Sequence, residues 1–341
     1  MKLGIYTNAR KDLSFEEFLD YAKDLGAEMV ELGCGEESGF AHCDPEVLLN
    51  DEAAFARYAE ALSRRRLRVS ALSCHGNPVA ADPSLAAFSD RCMRNAVLLA
   101  EKMRLDTINC FSGCPGSGAS RLANWVTVGW PMDYPQLYRW QWNEVLVPYW
   151  KDFAAFARAH GILHVALEMH PGQMCYNPKT VKRLRAEAGD NIGVNLDFSH
   201  LLWQRMEPDL VIEELRGMIW HMHVKDIAFQ ERQVRENGLI NFHYFDESEK
   251  RPWNFRCIGY GHDLGWWGRV FAALRRGGYD YVASVEYECE ITSADFGIRS
   301  SLERLASILP RDSLGDPGFW RDRAAAQRNL LDQKYGVGEE R

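Results

Sequence analysis

No run of about 18 consecutive apolar residues, the least that a membrane-spanning helix needs, occurs anywhere in the chain. The opening MKLGIYTNARKDLSF also lacks the apolar centre of a secretory signal. The nine cysteines, at positions 34, 43, 74, 92, 110, 114, 175, 257 and 289, are odd in number and include no CxxC pair. Neither a disulfide framework nor a zinc ribbon is indicated. Positive charge is in short supply as well: 40 Lys and Arg face 48 Asp and Glu, a formal net charge of −8. Nucleic-acid binding draws most of its affinity from clustered cations, so that class of partner is excluded. The basic runs Arg64–Arg66 and Arg275–Arg276 fall late in helical segments, where they complement the helix dipole. A soluble cytoplasmic protein with reduced thiols and no membrane partner is expected.

With 341 residues, 46% hydrophobic and 26% charged, the chain has ordinary globular composition and enough length for one α/β barrel with insertions. Short β-type runs alternate with amphipathic helical stretches, the pattern of parallel strands joined by crossover helices. Eight strands are predicted, at 3–8, 28–33, 68–75, 106–112, 163–169, 192–198, 219–225 and 281–287. Helix ends are marked between them. Ser14 with Glu17 reads as a capping box, and Asp44-Pro45, Asp82-Pro83 and Asn177-Pro178 read as N-caps followed by a first-turn proline. Gly26, Gly161, Gly189, Gly217 and Gly277 stop helices just before the next strand. Eight units favour a (β/α)8 TIM barrel over an open sheet.

Residues 113–141 and 226–260 break the rhythm. Both follow strands, which places them as insertions on the C-terminal face of the barrel, where active sites are built. The first carries Trp125, Trp130, Trp140, Trp142, Tyr134 and Tyr138; such clusters commonly pack as a lid, and a sugar ring stacking on Trp125 is the functional alternative. The barrel is expected over residues 1–309, with 310–341 as a C-terminal helical extension containing FWRDRAAAQRNLLDQKYG. That helix is expected to pack outside the barrel or against another subunit of a homo-oligomer.

Successive strand side chains alternate between faces, and the alternation assigns the interior. In VALEMH, Val165, Leu167 and Met169 face the helices, leaving Ala166, Glu168 and His170 inward. In GVNLDFSH, Asn195 and Asp197 point in; in HMHVKD, His221, His223 and Lys225; in SVEYE, Ser284, Glu286 and Glu288. Four consecutive strands thus aim ionisable groups at the axis near their C-terminal ends. One strand histidine or glutamate is commonly a satisfied structural group. Three converging carboxylates with an imidazole require a positive partner, because a buried carboxylate costs several kcal/mol unless paired. Glu168, Asp197, His223 and Glu286 are the expected metal ligands. Three oxygens and one nitrogen suit Mn²⁺, with Mg²⁺ or Co²⁺ next and tetrahedral Zn²⁺ last. An ion chelating a carbonyl and its neighbouring hydroxyl acidifies the intervening C–H, which a ligand carboxylate can then deprotonate. His75, Asn77, Asn109, His170, Lys225 and His262 are further pocket candidates, and Asp226 and Glu288 are candidates for orienting the ligands.

ALEMHPG, NLDFSHLLWQ, HMHVKD, GYGHDLGWWGRVFAALRRGGYD and SVEYECE, each on its own strand or helix entry, resemble the xylose-isomerase-like TIM-barrel family of sugar phosphate isomerases and epimerases. That family includes ketose 3-epimerases and inosose dehydratase, and the likeness runs from LGIYTN to at least Leu309. It implies the same four metal ligands, a proton-transferring pair of Glu168 and Glu286, and His200 either as a ligand of a substrate hydroxyl or as a support for Asp197. Endonuclease IV belongs to the same family, but the acidic balance and the missing extra His and Asp ligands set this chain apart. The FSGCPG and Trp-rich insertion resembles long members that work beside NAD-dependent sugar oxidoreductases, among them C-glycoside deglycosidase subunits and 3-keto-glycoside lyases. The expectation is therefore a metal-dependent isomerase or epimerase of a small sugar. The alternative is a lyase or dehydratase expelling an aglycone or water from a keto-glycoside, with His170 or His262 as acid. A non-catalytic sugar-binding barrel is disfavoured by the complete ligand set.

Overall fold

Ten strands are present in the computed structural model, which describes residues 1–312 and 322–330. They are β1 (Lys2–Tyr6), β2 (Met29–Gly33), β3 (Arg68–Cys74), β4 (Thr107–Cys110), β5 (His164–Glu168), β6 (Ile192–Asp197), β7 (Ile219–Val224), β8 (Asp226–Phe229), β9 (Trp253–Arg256) and β10 (Val282–Val285). β1 to β7 pair in parallel and in chain order, and β10 closes the ring between β7 and β1. All eight strands expected from sequence belong to this closed (β/α)8 barrel, most of them trimmed by a residue or more at an end.

The helices start where local chemistry says they should. Ser14 Oγ accepts from the Glu17 backbone N–H while the Glu17 carboxylate accepts from the Ser14 N–H at 2.9 Å, so two otherwise orphaned donors are satisfied ahead of the helix Phe15–Asp24. Asp44, Asp82 and Asn177 cap helices that open on Pro45, Pro83 and Pro178. The outward-facing strand residues Val30, Leu32, Val165, Leu167, Val194, Leu196 and Met222 join helix residues such as Phe18, Trp150, Leu184 and Phe271 in one hydrophobic core. That core is the annulus between barrel and helices; the barrel interior is polar at its upper levels.

The first insertion is irregular from 111 to 133, then becomes the helix Tyr134–Trp140, which continues through a π turn at Gln141–Leu146 into Val147–Ala159. The second folds on itself: β8 pairs antiparallel with β9, from Asp226↔Arg256 to Phe229↔Trp253. This ribbon was not foreseen, because β8 reads as a prolongation of β7 and WNFR lies more than twenty residues further on, far beyond the reach of a tight hairpin turn.

The chain divides into two units, Met1–Leu309 and Pro310–Arg341. In the second, residues 322–330 are helical; the rest of the helix expected there lies outside the described residues. Among the described residues no helix is long and apolar enough to cross a membrane.

Candidate metal centre

β5, β6, β7 and the segment after β10 deliver four donors to one place. Glu168, Asp197, His223 and Glu286 each offer a ligand atom, and these atoms all lie within 4.8 Å of one another. The strands are staggered: His223 lies opposite Asp197 and Ser284, whereas Glu168 lies opposite Asn195, one inner position lower than Asp197. Such stagger is a property of closed barrels. The longer glutamate arms make up the difference in height that a ring of equal side chains would leave.

His223 is fully buried, with Nδ1 3.1 Å from Glu286 Oε2 and 3.4 Å from Glu168 Oε2. Its Nε2 lies 2.7 Å from Glu31 Oε1, and the Tyr6 ring stacks on its face at 5.4 Å. Glu31 is held in turn by Ser73, Asn109 and Ser284 at 2.5, 3.0 and 2.6 Å. Nδ1 is therefore the nitrogen turned towards the carboxylates. Each Glu168 oxygen lies against an imidazole, Oε1 3.0 Å from His200 Nε2 and Oε2 3.0 Å from His75 Nε2. Lys225 Nζ sits among carboxylates, 2.8 Å from Glu286, 2.7 Å from Glu288 and 3.3 Å from Asp197.

Electrostatics follow from this crowding. Burial alone would raise Glu168, but the charge of His223 and contacts from His200, His223 and His75 hold it well below the usual carboxylate range. Burial opposes the charge of Glu286 too, and Lys225 and His223 outweigh it. Asp197 is the exception, pushed up to about 6 by burial and by repulsion from Glu168 and Glu286, with Lys225 as partial relief. Its Oδ1 caps the short helix Phe198–Leu202 through the Ser199 N–H at 2.8 Å. Oδ2 is buried, lies 3.3 Å from His200 and Lys225, and accepts no well-directed hydrogen bond from either. An orphaned buried carboxylate oxygen beside two more carboxylates and an imidazole nitrogen is the donor set of a divalent cation. The residues present fit such an ion.

Above the four donors opens a cleft of about 360 Å³ whose walls include His75, Asn77, Glu168, His170, His200, Lys225, Glu286 and Glu288. His170 packs on His200 with ring centroids 3.9 Å apart, and burial and the neighbouring His200 push its pKa down to about 4. His262 does not line the cleft. Its Nδ1 is bound to Asp226 Oδ1 at 2.7 Å and its ring stacks on Trp266. Asp226 touches none of the four donors and instead fastens the 259–262 loop. Trp125 also stays outside the lining: its Nε1 donates to the Gln173 carbonyl at 2.9 Å and its ring packs edge-on against Tyr176, one layer behind the wall. Asn109 points inward but below the cleft, onto Glu31 and Ser73. Glu288 reaches Lys225, and through it Glu286.

Tyr6, Ser38, Glu37 and Phe111 line the cleft and Glu31 supports His223 from below, without having been singled out from sequence. For Glu31 a signal existed: in MVELG it occupies an inner position between the outward Val30 and Leu32. The loop residues Glu37 and Ser38 carry no such periodicity.

A closed barrel with a buried three-carboxylate, one-histidine cluster at its C-terminal mouth defines a class, and the sequence agrees with it. The profile of the xylose isomerase-like TIM barrel family matches residues 19–308, and the chain belongs to that family. It is 34% identical over 313 residues to the protein YfiH of Bacillus subtilis (strain 168), covering 91% of this chain and 99% of that one. Among solved structures it is similar in fold to the probable 3-DHS dehydratase AsbF from Bacillus anthracis, with a TM-score of 0.64 at 19% identity over 90% of this chain and 99% of that one. It is also similar to an L-ribulose 3-epimerase, with a TM-score of 0.61 at 16% identity over 98% and 99% of the two chains.

Proposed function

We propose that this protein is a divalent-metal-dependent isomerase or epimerase of a small sugar, in which Glu168 and Glu286 move a proton at the carbon next to a carbonyl. The observation that carries the proposal is the convergence of Glu168, Asp197, His223 Nδ1 and Glu286 beneath an open cleft. A bound Mn²⁺, or in second place Mg²⁺ or Co²⁺, would polarise the substrate carbonyl and stabilise negative charge there; Zn²⁺ suits the oxygen-rich set least.

The chain's own groups do the rest. In the resting site both glutamates are kept ionised by their neighbours, so each is available as a base. One takes the proton from the C–H carbon as the electron pair moves towards the carbonyl oxygen; the other, having first taken up a proton from water, gives it to the opposite face, and the first then releases its proton to water. His75 and His200 flank the two Glu168 oxygens, and Lys225 donates to Glu286. His170 and His200 also face the cleft and are available to substrate hydroxyls. All of these residues lie within 1–309, the proposed catalytic barrel, with 310–341 as its helical extension. A homo-oligomer, to which the C-terminal helix points, and pairing with an NAD-dependent sugar oxidoreductase, to which the family resemblance points, remain parts of the proposal. Elimination from a keto-glycoside is the weaker reading, since His262, one of its two candidate acids, is turned onto Asp226.

The test is exchange of substrate C–H for deuterium in D₂O, followed by NMR on Mn²⁺-loaded protein across D-fructose, D-tagatose, L-ribulose and a 3-keto-glucoside. Exchange is expected with at least one, and Glu168→Gln or Glu286→Gln should lower it by at least about 10²-fold. Aglycone release from the keto-glucoside without exchange of the free ketoses would transfer the assignment to the lyase.

A further inference from the structure

We infer that Cys289 and Cys257 form a site of reversible oxidation, in which Cys289 reduces a hydroperoxide and Cys257 then closes a disulfide with it. The pair is separate from the metal centre and does not depend on the reaction proposed there.

Two segments meet here, the end of β9 with the residues that follow it and the stretch after β10 that carries Glu286 and Glu288. Arg256 Nη1 donates to Glu290 at 2.5 Å. One residue on along the first segment and one residue back along the second, the thiols of Cys257 and Cys289 are in hydrogen-bonding contact. Residues opposed in this way across antiparallel segments have Cα atoms about 4.5–5.5 Å apart, within the span that a disulfide bridges. Cys257 Sγ also lies 3.7 Å from Thr292 Oγ1, and a Cβ on Gly297 would come within 2.8 Å of it, so the missing side chain at 297 makes room for this thiol. Tyr287 closes the turn behind Cys289. Its hydroxyl donates to the Cys289 carbonyl at 2.7 Å and to the Thr292 carbonyl.

The pair differs from the other buried cysteines. Burial pushes the thiols of Cys92, Cys110, Cys114 and Cys175 up, which leaves them protonated and unreactive. Around Cys289 the balance is reversed. The Cys257 thiol, the backbone N–H groups of Cys257 and Ile291 and the Thr292 hydroxyl all donate to its sulfur, outweigh burial and hold it below the usual thiol range. The thiolate is the attacking form. The same contact pushes Cys257 up, so that it keeps its proton. Cys289 is 4% exposed, but its neighbours Glu288, Glu290 and Ile291 all reach solvent, which gives a solute as small as a hydroperoxide a short approach.

In the first step the Cys289 thiolate attacks the peroxide: an S–O bond forms, the O–O bond breaks, and the departing hydroxide or alkoxide takes a proton from water. In the second, the Cys257 sulfur attacks the sulfenic acid. An S–S bond forms, the S–O bond breaks, and hydroxide leaves as water with the proton of Cys257. Two thiols are oxidised by two electrons in all, and one peroxide bond is reduced. A small thiol reverses the change by exchange. The bond ties the ribbon to the segment that bears Glu286 and Glu288.

The experiment exposes the reduced full chain, loaded with redox-inert Mg²⁺, to hydrogen peroxide. Samples are blocked with a maleimide, the thiols counted, and the disulfides mapped by peptide mass spectrometry. Two of the nine thiols should be lost first, as a linkage between Cys257 and Cys289 that dithiothreitol removes. Cys257→Ser should stop at a sulfenic acid on Cys289, trapped by dimedone. Cys289→Ser should slow the first loss of thiol by about tenfold or more. Earlier reaction of any other cysteine would overturn the inference, as would survival of all nine thiols in peroxide that oxidises free cysteine. An unchanged rate in Cys289→Ser with wild-type circular dichroism would do the same.

Discussion

Each nitrogen of His223 has a single role because Glu31 Oε1 holds Nε2 at 2.7 Å and leaves Nδ1 facing Glu168 and Glu286. Glu31 is itself fixed from three strands, and its pKa falls to about 2 because His223, His221 and Ser284 overcome the effect of burial. Carboxylates behind a ligating imidazole orient the ring and strengthen it as a donor. Glu31→Gln keeps the shape but turns an amide towards the imidazole, and it is expected to weaken Mn²⁺ binding by about 10- to 100-fold, read by calorimetric titration. Unchanged affinity would mean that Tyr6 and Asn195 orient the ring without help. The four ligand candidates were legible because each stands on a strand whose neighbours alternate cleanly. Trp125 and His262 misled because residue type suggested a pocket role that loop geometry, invisible to periodicity, assigned elsewhere.

Among elements, the ribbon of β8 and β9 and the 259–262 loop are tied to the barrel through one side chain. Asp226 accepts from Ile227, Gly259, Gly261 and His262 backbone N–H groups and from Trp267. Asp226→Asn would set an amide N–H against some of these donors and strand the rest. A loss of about 3 kcal/mol in urea unfolding is expected, and a loss below about 1 kcal/mol would show that the loop is held by other contacts. Ser14→Ala, which removes one half of a capping box on the helix Phe15–Asp24, should cost about 1 kcal/mol in the same assay. The contrast between these sites also explains what sequence could show. Caps such as Ser14-Glu17 and Asp82-Pro83 are local and were read directly. The pairing of β8 with β9 depends on residues such as Phe229 and Trp253 meeting across a long excursion, and no local propensity encodes that meeting.

Taken whole, the barrel gathers negative charge at one end of its axis, and a cation there should stabilise the fold as well as the chemistry. Ligand binding to the native state alone contributes about 2.7 kcal/mol when the free ion is at 100 times its Kd. Stripping the protein with EDTA is therefore expected to lower Tm by several degrees, roughly 2–4 °C for each kcal/mol in a large domain, with Mn²⁺ restoring it. A melting curve indifferent to both treatments would remove the metal centre. Beneath that centre, Glu31, Ser73, Asn109, Asn195 and His221 fill the barrel, all fully buried, the first three hydrogen-bonded among themselves and Asn195 to His221. The cleft is thus a blind alley with one opening. Reactant and product must pass through the same doorway and occupy the same seat, one at a time. Accumulating product should act as a competitive inhibitor, so progress curves will bend well before equilibrium, and only initial rates will report the intrinsic speed of the catalyst.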